Sequence, residues 1–297
     1  MPALGRVGIW TRQLDTQPAS QAQDAVAELE ALGYPTVWIP EAVEREVISH
    51  AALLLSASST IIVATGIANI YARAPRTIAL AQLLLAERFE GRFLLGLGVS
   101  HPAVVERRLH QSYERPVEAM RSYLKALDHE LSAPHPAPPR TTPSRVLAAL
   151  GPRMVSLAAE RSAGAHTYLA PAAHTAWARD LLGESALLAP AVKVVLDRDA
   201  SRAREVARTS VGPILRVPAY RENLRRVGFS DGDVEGGPSD RLVDALVAVG
   251  DIDAVMTRLK EHLDAGADHV CVEVLTGDDT TVPRQQWSEL APALKEL

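Results

Sequence analysis

A chain of 297 residues, 47% of them apolar, can bury a large core, and an α/β barrel of about 250 residues routinely forms one domain. Its formal net charge of −5 arises from 31 basic and 36 acidic residues, and the basic ones are scattered through helical segments, which excludes the basic footprint of a nucleic-acid binder. No basic-then-apolar leader opens the chain and no apolar stretch reaches the ~18–20 residues of a membrane span, so no membrane partner is expected.

In chain order, the strand candidates are RVGIWT (6–11), the run in EALGYPTVWIP (30–40), TIIVATGIANI (60–70), the run in ERFEGRFLLGLG (87–98), RVLAAL (145–150), the run in RSAGAHTYLA (161–170), AVKVVL (191–196) and the run in LDAGADHVCVEVL (263–275). Helical patterns cover 17–32, 75–90, 116–131, 152–163, 173–183, 199–210 and 240–265. Gly33, Gly91, Gly164 and Gly266 fit the left-handed residue that ends a helix just before a strand. Short connections and continuous apolar strands call for a parallel sheet covered by helices. Eight such repeats close into a (β/α)8 TIM barrel, with a doubly wound open sheet as the competing architecture. The proline-rich LSAPHPAPPRTTPSR (131–145) reads as a surface connection. The segment from about 198 to 265 is too long for one crossover, and residues from about 230 to 239 within it, in the stretch GFSDGDVEGGPSD (228–240), read as a flexible flap over the barrel mouth. Cys271, the single cysteine, sits in an apolar run as a buried structural thiol, which suits a reducing cytoplasm.

In such a barrel, chemistry sits at the carboxyl ends of the strands. GVSHP (98–102) and ALGPRM (149–154) each pass from a strand into a helix with proline at its first position, leaving the next N–H groups free. Two neighbouring helix N-termini, one with Ser100 and one with Arg153, suit a phosphate, and plain capping is the alternative. His101 is placed to carry a proton, or equally to cap. Glu41 is a carboxylate at another strand end, where surface carboxylates are common. Lys193 lies near the start of its strand, which argues for the far face of the barrel and against a Schiff base. No clustered ligand set for a metal, Gly-x-Ser-x-Gly elbow or GxGxxG fingerprint is present, so no metal is expected.

GYPTVWIPEA (33–42), VATGIANIYARAP (63–75), RFLLGLGVSH (92–101), AALGPRMVSLAAERSAGAHTYL (148–169) and DAGADHVCVEVL (264–275) together resemble the luciferase-like monooxygenase superfamily, in the branch that uses coenzyme F420. The resemblance implies a single (β/α)8 barrel domain over 1–297 with an insertion before the last strand, and a homodimer. It implies a deazaflavin ring in the barrel mouth held by Glu41, Asn69, Ile70, Gly98, Val99, Ser100, His101, Leu150, Gly151, Pro152, Arg153 and Met154, with the phosphate tail over the ends of the fourth and fifth strands. It also implies a cis peptide bond between Asn69 and Ile70. Glu41 and Ala42 stand where a related sugar-phosphate dehydrogenase has an Asp-His pair, and His101 stands where it has a catalytic acid, so that substrate is not carried over. The expected reaction is hydride transfer between the deazaflavin and a small organic substrate, with His101 or Glu41 handling the proton. An FMN-dependent monooxygenase and a non-catalytic flavin or deazaflavin-binding barrel are the alternatives.

Overall fold

The computed structural model describes residues 1–41, 45–135 and 138–297; Ala42 lies outside them. Its strands are β1 (Val7–Trp10), β2 (Thr36–Ile39), β3 (Ile62–Thr65), β4 (Ala68–Asn69), β5 (Phe93–Gly98), β6 (Arg145–Ala148), β7 (Gly164–Tyr168), β8 (Leu187–Leu196), β9 (Val247–Gly250) and β10 (Val270–Val274). The helices are α1 (Ala19–Leu32), α2 (Val47–Ser56), α3 (Pro75–Arg88), α4 (Pro102–Arg107), α5 (Pro116–Leu131), α6 (Pro152–Arg161), α7 (Ala172–Leu182), α8 (Ala200–Val211), α9 (Pro218–Arg226), α10 (Asp240–Leu246), α11 (Ile252–Asp264) and α12 (Arg284–Leu294).

All strand pairs are parallel, in the order β1, β2, β3, β5, β6, β7, β8, β10, and the ring closes where Val7 of β1 registers with Val270 of β10. Eight strands joined by helical crossovers therefore form a closed (β/α)8 barrel. The strands are apolar at nearly every position because one face fills the barrel and the other meets the helices. Trp10, Trp38, Ala64, Leu94, Val146, Ala189 and Cys271 pack together inside. A larger layer joins the outer strand faces to the helices, and a third cluster lies beneath α8, α9 and α10.

Between β8 and β10 runs the insertion, which differs from the expected single helix over 240–265. Helix α10 stops at Leu246, and VAVG forms β9 along the half of β8 that extends past the end of β7, with Lys193 opposite Val247 and Leu196 opposite Gly250. A four-residue apolar run flanked by helical periodicity carries no strand signal of its own; the unpaired edge of β8 supplies it. Residues 230–239 are likewise ordered by local bonds. Asp233 accepts from the Ser230 amide, the Ser239 hydroxyl and Arg241, and Val234 is buried, so a tied loop replaces the expected flap. Helices α2, α9 and α12 were not among the sequence expectations. Capping by Glu46, whose carboxylate accepts from the Ile48 and Ser49 amides, starts α2, and the fully buried Trp287 anchors α12.

Gly33, Gly91 and Gly266 adopt the left-handed conformation expected of them. Gly164 instead opens β7, where the Leu187 carbonyl fills the space of a Cβ. The third expected strand divides: β3 ends at Thr65, a cis bond joins Gly66 to Ile67, and β4 resumes at Ala68. The Asn69–Ile70 bond is trans, because Asn69 is held in register with Gly98 and the Ile70 amide continues that ladder to the Gly98 carbonyl.

Candidate functional site

The ends of β2, β4 and β5 are bound into one unit. The Glu41 amide donates to the Ile67 carbonyl, and its carboxylate accepts from the Asn69 amide at 2.7 Å and from Arg73 Nη1 at 3.0 Å. The Arg73 side chain is 9% exposed and also pairs with Glu46 at 2.9 Å. Asn69 Oδ1 accepts from the Tyr71 amide, which turns the chain out of the barrel. Glu41 is thus engaged on both oxygens as the clamp of this turn. Gly98 lies next to it, and the absence of its Cβ is used by the protein: the side chain of Ile67 occupies that space, with the Ala148 methyl close by.

Beyond Gly98 the chain passes through half-buried Val99 to Ser100, which has a left-handed backbone with φ 55° and gives its carbonyl to the Tyr113 hydroxyl at 3.2 Å. His101 then stands at the N-cap of α4 with extended backbone and no capping bond from its side chain. The imidazole lies 5.8 Å from the ring of Tyr220 on α9, and burial pulls its pKa below the usual histidine value. Neutral imidazole therefore predominates at pH 7. Its ring nitrogens make no hydrogen bond among the described residues, unlike those of His166, His174, His262 and His269. That leaves it able to accept a proton from, or donate one to, a bound molecule.

On the adjoining strand, β6 ends at Ala148 beside Gly98, and Leu150 gives its carbonyl to His174 at 3.0 Å. Gly151 caps the ten-residue helix α6 with φ −91° and ψ 162°, a conformation open to any residue, and a Cβ built on it meets nothing within 4 Å. Neither backbone strain nor packing requires glycine there. Pro152 follows at the first helical position, the Met154 side chain is buried in the core, and the Arg153 guanidinium turns outward to Glu118 on α5. Arg153 can thus offer its amide to the mouth, while its charge is engaged elsewhere.

A further set of mouth residues is not assigned to the site by the sequence. Lys193 is the seventh residue of β8, because that strand begins at Leu187, and it reaches Glu273 on β10 inside the barrel; the expected far-face position is corrected by the longer strand. Tyr168 of β7 lies against Trp10, with ring centres 5.3 Å apart. Trp10 Nε1 donates to the Gly66 carbonyl at 3.2 Å. Inward-facing positions recur at every second residue of a strand, and Lys193 and Glu273 share one register, but the register between strands is not written in either strand alone. Cys271 is fully buried and its thiol pKa is pushed up, as suits a structural role. Among the described residues no cluster of three metal-binding side chains occurs, and no helix is long and apolar enough to cross a membrane.

The fold is similar across nearly its whole length to several solved structures. An F420-dependent secondary alcohol dehydrogenase in complex with an F420-acetone adduct superimposes with a TM-score of 0.78 at 13% identity, covering 97% of each chain. The F420-dependent tetrahydromethanopterin reductase of Methanopyrus kandleri gives 0.71 at 17%, covering 96% of this chain and 97% of that one. The FMN-bound oxygenating constituent of 3,6-diketocamphane monooxygenase, from Pseudomonas putida, gives 0.70 at 16%, covering 97% and 98%. In sequence, a Mycobacterium tuberculosis protein named provisionally as a coenzyme F420-dependent oxidoreductase is 32% identical over 124 residues, an alignment that spans 42% of this chain and 36% of that relative. An uncharacterized protein of the same species is 25% identical over 84% of this chain and 89% of its own. The family model described as luciferase-like monooxygenase matches residues 4–269, and the chain belongs to that family.

Proposed function

We propose that this protein is a coenzyme F420-dependent oxidoreductase that transfers a hydride between the deazaflavin and a small organic substrate, working as one barrel domain over 1–297. The observation that carries the reading is the pairing of a neutral imidazole at His101, whose ring nitrogens make no hydrogen bond among the described residues, with an open glycine face at Gly151, on the neighbouring ends of β5 and β6. A ring-and-phosphate cofactor fits this arrangement. The N-terminus of α6, entered through a glycine whose Cβ space is empty, lets an anionic tail approach the Arg153 amide and the positive helix end. Asn69, Ile70, Gly98, Val99 and Ser100 would line the inner side, with Leu150 and Pro152 on the outer side and the core-buried Met154 side chain backing them. The relative named for F420 supports the choice of cofactor.

When bound, the cofactor supplies the hydride chemistry. The chain supplies orientation, exclusion of water and a proton carrier. His101, neutral at pH 7, takes the hydroxyl proton from a substrate being oxidised, or returns it in the reverse direction. Glu41, clamped by Asn69 and Arg73, positions the β2 and β4 ends rather than exchanging protons. FMN in the same cleft, with oxygen chemistry, is the second reading; the FMN-bound neighbour of similar TM-score is what favours it.

A titration of the purified protein with F420 and FMN, followed by turnover of reduced and oxidised cofactor, separates them. Micromolar F420 binding with FMN at least tenfold weaker is expected, and the reverse order would overturn the assignment. His101→Ala is expected to lower turnover by roughly 10²–10⁴-fold while cofactor affinity changes little. Unchanged turnover would remove His101 from the chemistry.

A further inference from the structure

Lys193 on β8 and Glu273 on β10 are partners in register, with Lys193 Nζ 2.7 Å from Glu273 Oε1 and both side chains at most 3% exposed. The same ammonium stands 5.0 Å from the ring centre of Tyr168, whose hydroxyl donates to that same Oε1 at 3.4 Å. The second carboxylate oxygen, Oε2, is buried and has no hydrogen-bond partner among the described residues. A buried ion pair is sustained when hydrogen bonds satisfy its remaining lone pairs, and an acceptor left bare in the interior loses solvation without return. The arrangement is one donor short.

Trp10 and Tyr168 form an aromatic wall beside the carboxylate. Tyr220 of α9 lies against His101, and burial together with the negative charge of Glu273 raises its phenol pKa. Because Lys193 is engaged by Glu273, the pair presents an acceptor and no free cation.

We infer that Glu273 anchors the substrate through Oε2, accepting a hydrogen bond from an uncharged hydroxyl group, and that Lys193 and Tyr168 hold the carboxylate in place for it. The substrate class is accordingly a neutral alcohol, and carboxylates or phosphate esters are refused because they would meet a bare carboxylate oxygen. For the reaction that follows, this rests on the oxidoreductase reading; the binding step itself needs no cofactor.

The test uses two matched probe pairs, cyclohexanol with cyclohexanecarboxylate and benzyl alcohol with benzoate, with binding to the full chain read by ligand-observed NMR and F420 affinity measured separately. In the wild-type protein at least one alcohol should bind ten or more times more tightly than its carboxylate partner. Glu273→Gln should weaken that alcohol at least tenfold and strengthen its carboxylate, because Lys193 is released, while F420 affinity is unchanged. The double variant Lys193→Met/Glu273→Gln, which removes both charges, should lose the alcohol without gaining the carboxylate. If Glu273→Gln does not fold, the double variant carries the test. Alcohol binding retained in either folded variant, a wild-type protein that binds the carboxylates as well as the alcohols, or one that binds neither alcohol, overturns the inference. Absence of F420 binding strikes the cofactor reading and leaves the anchor to be decided by the probes.

Discussion

Two glycines at the mouth illustrate how one residue type serves different ends. At Gly98 the missing side chain is filled by Ile67 from the neighbouring turn, so Gly98→Val should force Ile67 and Ala148 aside and destabilise the barrel by about 1–3 kcal/mol, the usual cost of overpacking. Gly151 faces empty space in an ordinary conformation. Gly151→Thr, which keeps a comparable N-cap, should therefore leave the urea midpoint unchanged and weaken cofactor binding at least tenfold; a midpoint shift as large as that of Gly98→Val would show that Gly151 serves the fold. Sequence alone places both in one category, since a glycine at a strand end looks the same whether the protein or a ligand fills its Cβ space. His101 was legible as a candidate because it directly follows the strand-end glycines, but only the structure separates a capping imidazole from a free one.

At the scale of elements, the clamp from β2 to β4 decides what Glu41 does. Its carboxylate holds the Asn69 amide and the largely buried Arg73 guanidinium. Removing Glu41 leaves the Asn69 amide without its acceptor and Arg73 with only the half-exposed Glu46, so Glu41→Ala should cost about 1–3 kcal/mol in a denaturant melt. Full stability with abolished turnover would instead return Glu41 to the proton chemistry. The insertion shows the same dependence on context. Its helices α8 and α10 follow from apolar periodicity, whereas β9 exists because β8 outruns β7 and leaves an edge to be paired.

For the whole molecule, the interior histidines set an acid limit. Burial lowers His166, His262 and His269 to about 4 each, from an ordinary value of 6.5. A histidine held neutral in the fold stabilises fully above its unfolded pKa, and that contribution is lost as pH falls from about 6.5 through 4, where the unfolded chain binds protons that the fold refuses. Each is worth up to roughly 3 kcal/mol, so melting temperatures should be flat from pH 8 to 7 and fall steeply below pH 6. A flat profile to pH 4 would contradict this. The family resemblance also leads us to expect a homodimer. Leu80 and Leu84 lie one turn apart on α3, exposed at 45% and 61%, and such a pair suits a covered helix face. Light scattering should give twice the chain mass, and Leu84→Glu should shift it toward the monomer; a monomeric wild-type protein would refute the expectation.

By itself the sequence determined the alternation of apolar strands and amphipathic helices, the glycines that end α1 and α11, the barrel, and the strand ends at which to look, because each depends on periodicity and turn chemistry within a short window. The tertiary structure alone decided which atoms meet there. The clamp joining Glu41 to Arg73, the Ile67 side chain over Gly98, the Tyr220 ring beside His101 and the Lys193–Glu273 pair all join segments from different strands or crossovers. Such pairings are set by inter-strand register and barrel closure, and these emerge only when all eight strands share a single ring of hydrogen bonds.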